Sequence, residues 1–166
     1  MILITKRSFP ADCLKNTWVN ETKLLRVKNV LIDTDVILDF FFNRAPFSDH
    51  AEQIFCLCDA GQIKGYVTPV ICSNTYYLLR KVARHDKVIS KMNQLLVIME
   101  VLRMDKETVT QALHSGFKDF EDALQNFSAT LSGEIGVILT RNVKDYTKSE
   151  LGVMTPESYL KIKAWV

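Results

Sequence analysis

The stretch VLIDTDVILDFFF, from Val30 to Phe42, joins the pattern of a strand to the pattern of a helix. Its first three residues are apolar and rich in β-branching, which predicts a short buried strand over Val30–Ile32 that ends at Asp33. A helical pattern follows over Val36–Phe42. Because Asp35 also follows the strand closely, the stretch puts two carboxylates at the carboxyl end of a predicted strand.

The same alternation of short apolar strands and helices continues along the chain. Helices are predicted to begin after the capping residues Ser48, Asp86, Asp105 and Asp119, and another begins with Pro156 at its first position. Such alternation predicts an α/β fold with a mainly parallel sheet. The further strands are predicted at Gly65–Thr68, Val101–Met104, Gly136–Thr140 and Gly152–Met154.

Length and composition favour one ordinary globular domain. The chain has 166 residues, of which 48% are hydrophobic and 24% charged, and this excludes a disordered chain. It has no apolar run near the ~20 residues that span a bilayer, and its first residues are too short a run for a signal peptide. We therefore expect a cytoplasmic protein without membrane contact. The four cysteines form no CxxC pair and are expected to be reduced: Cys13, Cys56, Cys58 and Cys72.

Charge is unevenly distributed along the chain. The net charge is +2, yet residues 1–28 alone hold six basic side chains and only two acids. The remainder is therefore slightly acidic, and bulk charge does not identify a nucleic-acid-binding protein. Residues 1–28 show no clean period, and we interpret them as an N-terminal extension of unknown role, with the domain over 29–166.

Acidic and amide side chains follow two predicted strands. Asn142 and Asp145 follow the strand at 136–140 as Asp33 follows the first, and Asp122 lies in the first turn of a later helix. Sites in open parallel sheets form beyond the carboxyl ends of the strands. Converging carboxylates repel one another, and Mg²⁺ or Mn²⁺ would relieve that repulsion and activate water for attack on a phosphodiester.

Each acid also has a purely structural interpretation. Asp33 is about as well explained as the cap of the next helix, and Asp145 alone would be an ordinary loop acid. Glu121 precedes Asp122 and should point about 100° away from it on a helix, toward solvent. Asp39 either joins the site or is exposed. Only the joint placement of these acids favours catalysis.

Three segments resemble the PIN domain, the nuclease fold of bacterial toxin–antitoxin ribonucleases. They are VLIDTDVILDFFFNRAPF, FKDFEDALQ and VILTRNVKDYTKSELGVMTPESYL, and the resemblance covers roughly residues 29–160 in the right order. The resemblance implies a doubly wound, three-layer fold with a central parallel sheet flanked by helices. It also implies a divalent metal site and metal-dependent cleavage of single-stranded RNA.

Carried over by position, the resemblance implies that Asp33, Asp122 and Asp145 are catalytic and bind the metal, with Asn142 completing its shell. Asn74 matches a position where the family has an acid, so metal affinity should be lower and activity is open to question. Asp35 and Glu121 would line the site.

RNA and protein partners are implied as well. Arg44, Arg141 and Lys144 lie near the acids in sequence and would hold phosphates, and Tyr76 or Tyr77 could stack on bases. The family resemblance also suggests a homodimer and a small antitoxin that plugs the acidic cleft. A basic stripe at Arg80, Arg84, Lys87 and Lys91 would form only if the helix were unbroken before Asp86.

Two alternatives remain open from the sequence. The string IDTDVI also resembles the first motif of haloacid-dehalogenase phosphatases, in which Asp33 would be the nucleophile and Asp35 the general acid. In the second alternative, Asn74 leaves the domain unable to cleave, and it only binds RNA or a protein. Hydrolysis of a small phosphomonoester tests the first, and metal titration tests the second.

Overall fold

A computed structural model describes residues 28–164, and its centre is a parallel five-stranded sheet. The strands lie in the order β3-β2-β1-β4-β5, so the sheet grows outward from β1 in both directions and the α/β prediction is confirmed. Tyr66 and Gly65 of β2 point to opposite faces, Tyr66 toward Glu134 after α6 and Gly65 toward Cys58 of α2. The strands are β1 Asn29–Ile32, β2 Lys64–Val67, β3 Met99–Val101, β4 Val137–Leu139 and β5 Gly152–Met154.

Helices connect the strands and follow the last one. A short 3-10 helix, Val143–Tyr146, lies between β4 and β5. The α-helices are α1 Thr34–Phe42, α2 Ser48–Asp59, α3 Pro69–Arg80, α4 His85–Ile98, α5 Lys106–His114, α6 Phe120–Ser132 and α7 Pro156–Ala164.

The predicted helix starts are partly confirmed. Asp105 and Asp119 cap α5 and α6 through their carboxylates. Ser48 instead is the first residue of α2, and Asp86 lies in the first turn of α4, whose N-cap is Arg84. Because α3 ends at Arg80 before α4 begins, the basic residues from 80 to 91 are divided between two helices and form no single stripe.

The edge strand β3 begins two residues earlier than predicted. Leu102 and Met104 are also apolar, so the predicted strand extended past Val101 into residues that form a loop in the structure. In the sheet, however, Met99 pairs with Gly65 and is buried, whereas Val101 ends the strand with 47% of its side chain exposed. Burial of Met99 therefore sets the register.

The hydrophobic core covers both faces of the sheet. Val30, Leu31 and Ile32 of β1 are completely buried, and Phe40 of α1 packs on Phe55 of α2 at 4.7 Å between ring centroids. No helix in the described part of the chain is both long enough and apolar enough to cross a membrane.

Two cysteines are confirmed as free thiols. Cys58 and Cys72 are free, but Cys56 is disulfide-bonded, so the expectation of reduced cysteines is wrong for that residue. Cys13 and the predicted extension over residues 1–28 lie outside the described residues, except for Lys28.

Candidate metal centre

A cavity of about 470 Å³ opens at the carboxyl ends of the two central strands. Strands β1 and β4 are paired there, and the backbone N–H of Asp33 donates to the carbonyl of Leu139 at 3.0 Å. Connections leave these two strands in opposite directions, which makes this the place where a doubly wound sheet holds its ligand. Seven of the ten residues predicted for the site line the cavity: Asp33, Asp35, Arg44, Asn74, Glu121, Asp122 and Asn142.

Asp33 is both a helix cap and a cavity residue, so neither sequence interpretation excludes the other. Its Oδ1 accepts a hydrogen bond from the N–H of Thr34 at 2.6 Å, and only 7% of the residue is exposed. Burial raises the pKa of Asp33 to about 7, and repulsion by Asp35 and Asp122 adds to the effect. Burial and neighbouring like charges both disfavour the charged form of this carboxylate.

Asp122 lies across the cavity at the start of α6. Burial raises its pKa to about 6, with further repulsion from Asp119, Asp145 and Glu121, while the nearby hydroxyl of Tyr146 acts in the opposite direction. Because Asp122 also raises the pKa of Asp33, these two carboxylates are close enough to repel one another. The predicted convergence of acids from distant segments is present in the structure.

Asp145 stands beside this pair without lining the cavity. It is half-buried in the 3-10 helix, and its carboxylate accepts a hydrogen bond from the side-chain amide of Asn142. Asn142 does line the cavity. Asp145 therefore contacts the site through Asn142 and through its repulsion of Asp122.

Arg141 points into a network of acids, a contact that differs from the phosphate contact proposed for it. Its Nε lies 3.0 Å from Oδ2 of Asp39 and 3.6 Å from Oδ2 of Asp35, and its backbone N–H donates to Asp35 at 2.9 Å. Asp39, with 1% exposure, is buried and not solvated. Arg44 lies 3.8 Å from the same carboxylate, but unlike Arg141 it lines the cavity. The exposed Lys144 does not line it.

Glu121 is exposed to solvent, as expected, and it also lines the rim of the cavity. Its Oε2 accepts a hydrogen bond from Nδ2 of Asn74 at 2.7 Å, which joins α6 to α3. The 100° step between neighbouring helical residues does separate Glu121 from Asp122. Asn74 on the facing helix nevertheless lies on the side toward which Glu121 points.

Tyr146 is a residue of the site that the sequence did not predict. It is 2% exposed, and its hydroxyl donates to Oε1 of Gln125 at 2.8 Å. Burial raises the pKa of Tyr146, and the charges of Asp33 and Asp122 raise it further. The phenol is therefore close to both acids. Gln125 could have been found, since it lies three residues after Asp122 on the same helix face. No pattern distinguishes Tyr146 from a core aromatic.

The acids fit a hard divalent cation. In the described residues, no three His, Cys, Asp or Glu side chains lie close enough to hold a metal by themselves. Mg²⁺, however, is commonly bound by one or two carboxylates and keeps several waters. Asp33 and Asp122 supply such a pair, and Oδ1 of Asp35 is buried beside them without a hydrogen-bond partner. This donor set suits Mg²⁺ or Mn²⁺ with a shell completed by water.

Comparison with known families agrees with the fold. The model of the PIN domain matches residues 29–144, well over half of the sequence, and the chain belongs to the PIN domain family. The family assignment gives no support to the haloacid-dehalogenase alternative. No curated protein matches this chain.

Solved structures share the fold at low sequence identity. A toxin–antitoxin complex from Klebsiella pneumoniae is 19% identical with a TM-score of 0.58, over 76% of this chain and 97% of that one. The sarcin-ricin loop cleaving toxin VapC20 of Mycobacterium tuberculosis is 14% identical with a TM-score of 0.56, over 74% and 98%. PAE2754 from Pyrobaculum aerophilum is 15% identical with a TM-score of 0.55, over 84% and 98%.

Proposed function

We propose that this protein is a divalent-metal-dependent endoribonuclease that cleaves single-stranded RNA. The observation that supports it most directly is the pairing of Asp33 with Asp122 in an open cavity at the carboxyl ends of β1 and β4. Membership of the PIN domain family supports a nuclease in general. The paired carboxylates of the cavity support metal dependence, whereas single-stranded RNA is proposed from the resemblance to toxin ribonucleases and from the neighbour that cleaves the sarcin-ricin loop.

Each residue that lines the cavity has a separate proposed role. Asp33 and Asp122 would hold Mg²⁺ or Mn²⁺, which would polarise the scissile phosphate and activate a water. Asn142, whose side-chain amide donates to Asp145, would bind waters of the metal shell. Arg44 lines the same cavity and would neutralise a neighbouring phosphate, so RNA binding should weaken as salt increases. Tyr77, 63% exposed at the cavity, offers a ring on which a base can stack.

The biological setting is proposed from the structural neighbours. The structure from Klebsiella pneumoniae is described as a toxin–antitoxin complex, and VapC20 is described as a toxin. We infer that this chain is the toxin of such a pair, that it acts in the cytoplasm as a homodimer, and that a small antitoxin covers the acidic cavity. The division into an extension over residues 1–28 and a domain over 29–166 belongs to the same proposal.

Cleavage of a defined single-stranded RNA with and without Mn²⁺ tests the proposed activity. Asp33→Asn and Asp122→Asn should each abolish cleavage, because each removes a carboxylate that would hold the metal. Asp86→Asn is a matched control, since Asp86 is 70% exposed on α4 and distant from the cavity. Full cleavage by both site variants would refute the mechanism.

A binding module without catalysis is the second candidate. The observation that favours it is the amide of Asn74, which lines the cavity at a position where the family has an acid. In that case RNA would bind without being cleaved, and Mn²⁺ would neither stabilise the protein nor change its affinity for RNA.

A further inference from the structure

The contact between Asn74 and Glu121 joins two helices across the mouth of the acidic cavity. Asn74 is the sixth residue of α3, and Glu121 is the second residue of α6. Both line the cavity together with Asp33 and Asp122, and the distance from Nδ2 of Asn74 to Oε2 of Glu121 is 2.7 Å. The pair is therefore a part of the cavity wall.

The contact pairs the amide donor of Asn74 with the carboxylate of Glu121. An amide N–H that donates to a carboxylate forms a charge-assisted hydrogen bond, which is shorter and stronger than a neutral one. The bond occupies one of the two carboxylate oxygens, so Glu121 keeps acceptor capacity. An acid at position 74 would instead repel Glu121. The amide at 74 and the carboxylate at 121 are thus complementary, and the negative charge that position 74 lacks is present at 121.

The start of α6 fixes Glu121 relative to Asp122. Oδ1 of Asp119 accepts from the backbone N–H of Glu121 at 2.7 Å and from that of Asp122 at 3.3 Å. The two side chains then diverge, Asp122 toward Tyr146 and Glu121 toward Asn74. They remain in electrostatic contact, since Glu121 contributes to the repulsion felt by Asp122.

We infer that Glu121, oriented by Asn74, supplies the third carboxylate for the divalent ion held by Asp33 and Asp122. This inference rests on the proposed function and adds to it a residue from the wall of the cavity. Glu121 is exposed at the rim of the cavity that Asp33 and Asp122 also line, and the carboxylate oxygen that does not accept from Asn74 keeps acceptor capacity for a hard cation. Asn74 acts through Glu121 as a positioning residue and does not itself bind the metal.

Mn²⁺ binding to the full chain, measured by titration and electron paramagnetic resonance, tests the inference without relying on activity. Glu121→Gln keeps an acceptor for Asn74 and removes the charge, and it should weaken Mn²⁺ affinity about tenfold or more. Asn74→Ala should weaken it by about tenfold, which is typical when an outer partner of a metal ligand is lost. The melting temperature of metal-free Glu121→Gln should equal that of the wild type. Glu107→Gln, in the first turn of α5, is the matched control and should bind Mn²⁺ normally.

The outcomes separate this inference from the proposed function. If Asp33→Asn binds Mn²⁺ as tightly as the wild type, the metal site itself is wrong. If Asp33→Asn loses binding and Glu121→Gln retains full affinity, only the role of Glu121 is overturned. If both Glu121→Gln and Asn74→Ala lower the metal-free melting temperature and leave Mn²⁺ affinity unchanged, the pair is a structural tie between helices, which also overturns the inference.

Discussion

Arg141 shows how an individual residue can differ from the role that its position suggests. It lies next to Asn142 and was expected to hold phosphate. Its guanidinium instead lies between Asp35 and Asp39, and its other side packs on the ring of Phe47 at 4.6 Å. Both acids lie on α1 and Arg141 follows β4, so this network fixes the loop that carries Asn142 onto the helix that begins beneath the site.

Removing this arginine should destabilise the protein. Arg141→Gln removes the cation nearest to the carboxylates of Asp35 and Asp39 and leaves Asp39 with only the more distant Arg44. We expect a loss of about 3 kcal/mol in the free energy of unfolding. The expected loss is at the low end for a broken buried pair because Arg141 is 32% exposed. Urea denaturation measures it.

The matched control and the double variant make this test specific. Arg84→Gln breaks an exposed pair with Asp86 and should cost less than about 1 kcal/mol. The double variant Arg141→Gln/Asp39→Asn should regain part of the stability, since one unpaired charge is gone. Strictly additive losses in the double variant would show that Arg141 and Asp39 are not coupled.

At the scale of elements, a comparison of the caps of α5 and α6 distinguishes an effect on stability from an effect on metal binding. Asp105 and Asp119 each accept a backbone N–H at the start of their helix. Asp105→Ala and Asp119→Ala should therefore each lower the free energy of unfolding by about 1 kcal/mol. Only Asp119→Ala should also weaken Mn²⁺ binding, because α6 carries acids that line the cavity and α5 carries none. Equal Mn²⁺ affinity in the two variants would contradict the view that the cap positions the site.

Local sequence patterns predicted most helices and strands. They failed where contacts between residues distant in sequence determine the bounds of an element. Strand β5 lies where it was predicted, at Gly152–Met154, and the carboxylate caps of α5 and α6 were recognised from single residues. The edge strand β3 was displaced because its register depends on how Met99 packs against Gly65. Ser48 satisfies the sequence rule for a cap, yet α2 begins with it and has Phe47 in the capping position.

For the whole molecule, the topology of the sheet assembles the site. Asp33 and Asp122 are 89 positions apart, and the pairing of β1 with β4 and the packing of α3 on α6 bring their segments together. The rule that strand ends meet at one edge predicted the position of Asp33, whereas Asp122, at the start of a helix, was assigned to the site from the family resemblance. The rule could not predict Tyr146 or the Asn74–Glu121 bond, since these depend on side-chain directions between helices that have no fixed spacing in sequence.

Repulsion within this cluster of acids should lower the free energy of unfolding when no metal is bound. Asp33→Asn keeps a side chain that caps α1 and removes a buried charge facing Asp35 and Asp122. In chelator, this variant should be more stable than the wild type by roughly 1–3 kcal/mol. In Mn²⁺ at about 100 times its dissociation constant, only the wild type should become more stable, by about 2.7 kcal/mol.

Thermal and urea unfolding with and without Mn²⁺ measure both effects, with Asp105→Asn as the control. That variant makes the same change at a helix cap outside the cavity, so it should show the wild-type response to Mn²⁺. A metal-free Asp33→Asn protein that is less stable than the wild type would mean that Asp33 serves mainly as a cap. An equal Mn²⁺ response in Asp33→Asn would mean that the ion binds elsewhere. Stabilisation in chelator together with a lost response to Mn²⁺ is the combination that a metal-binding carboxylate produces and a structural cap does not.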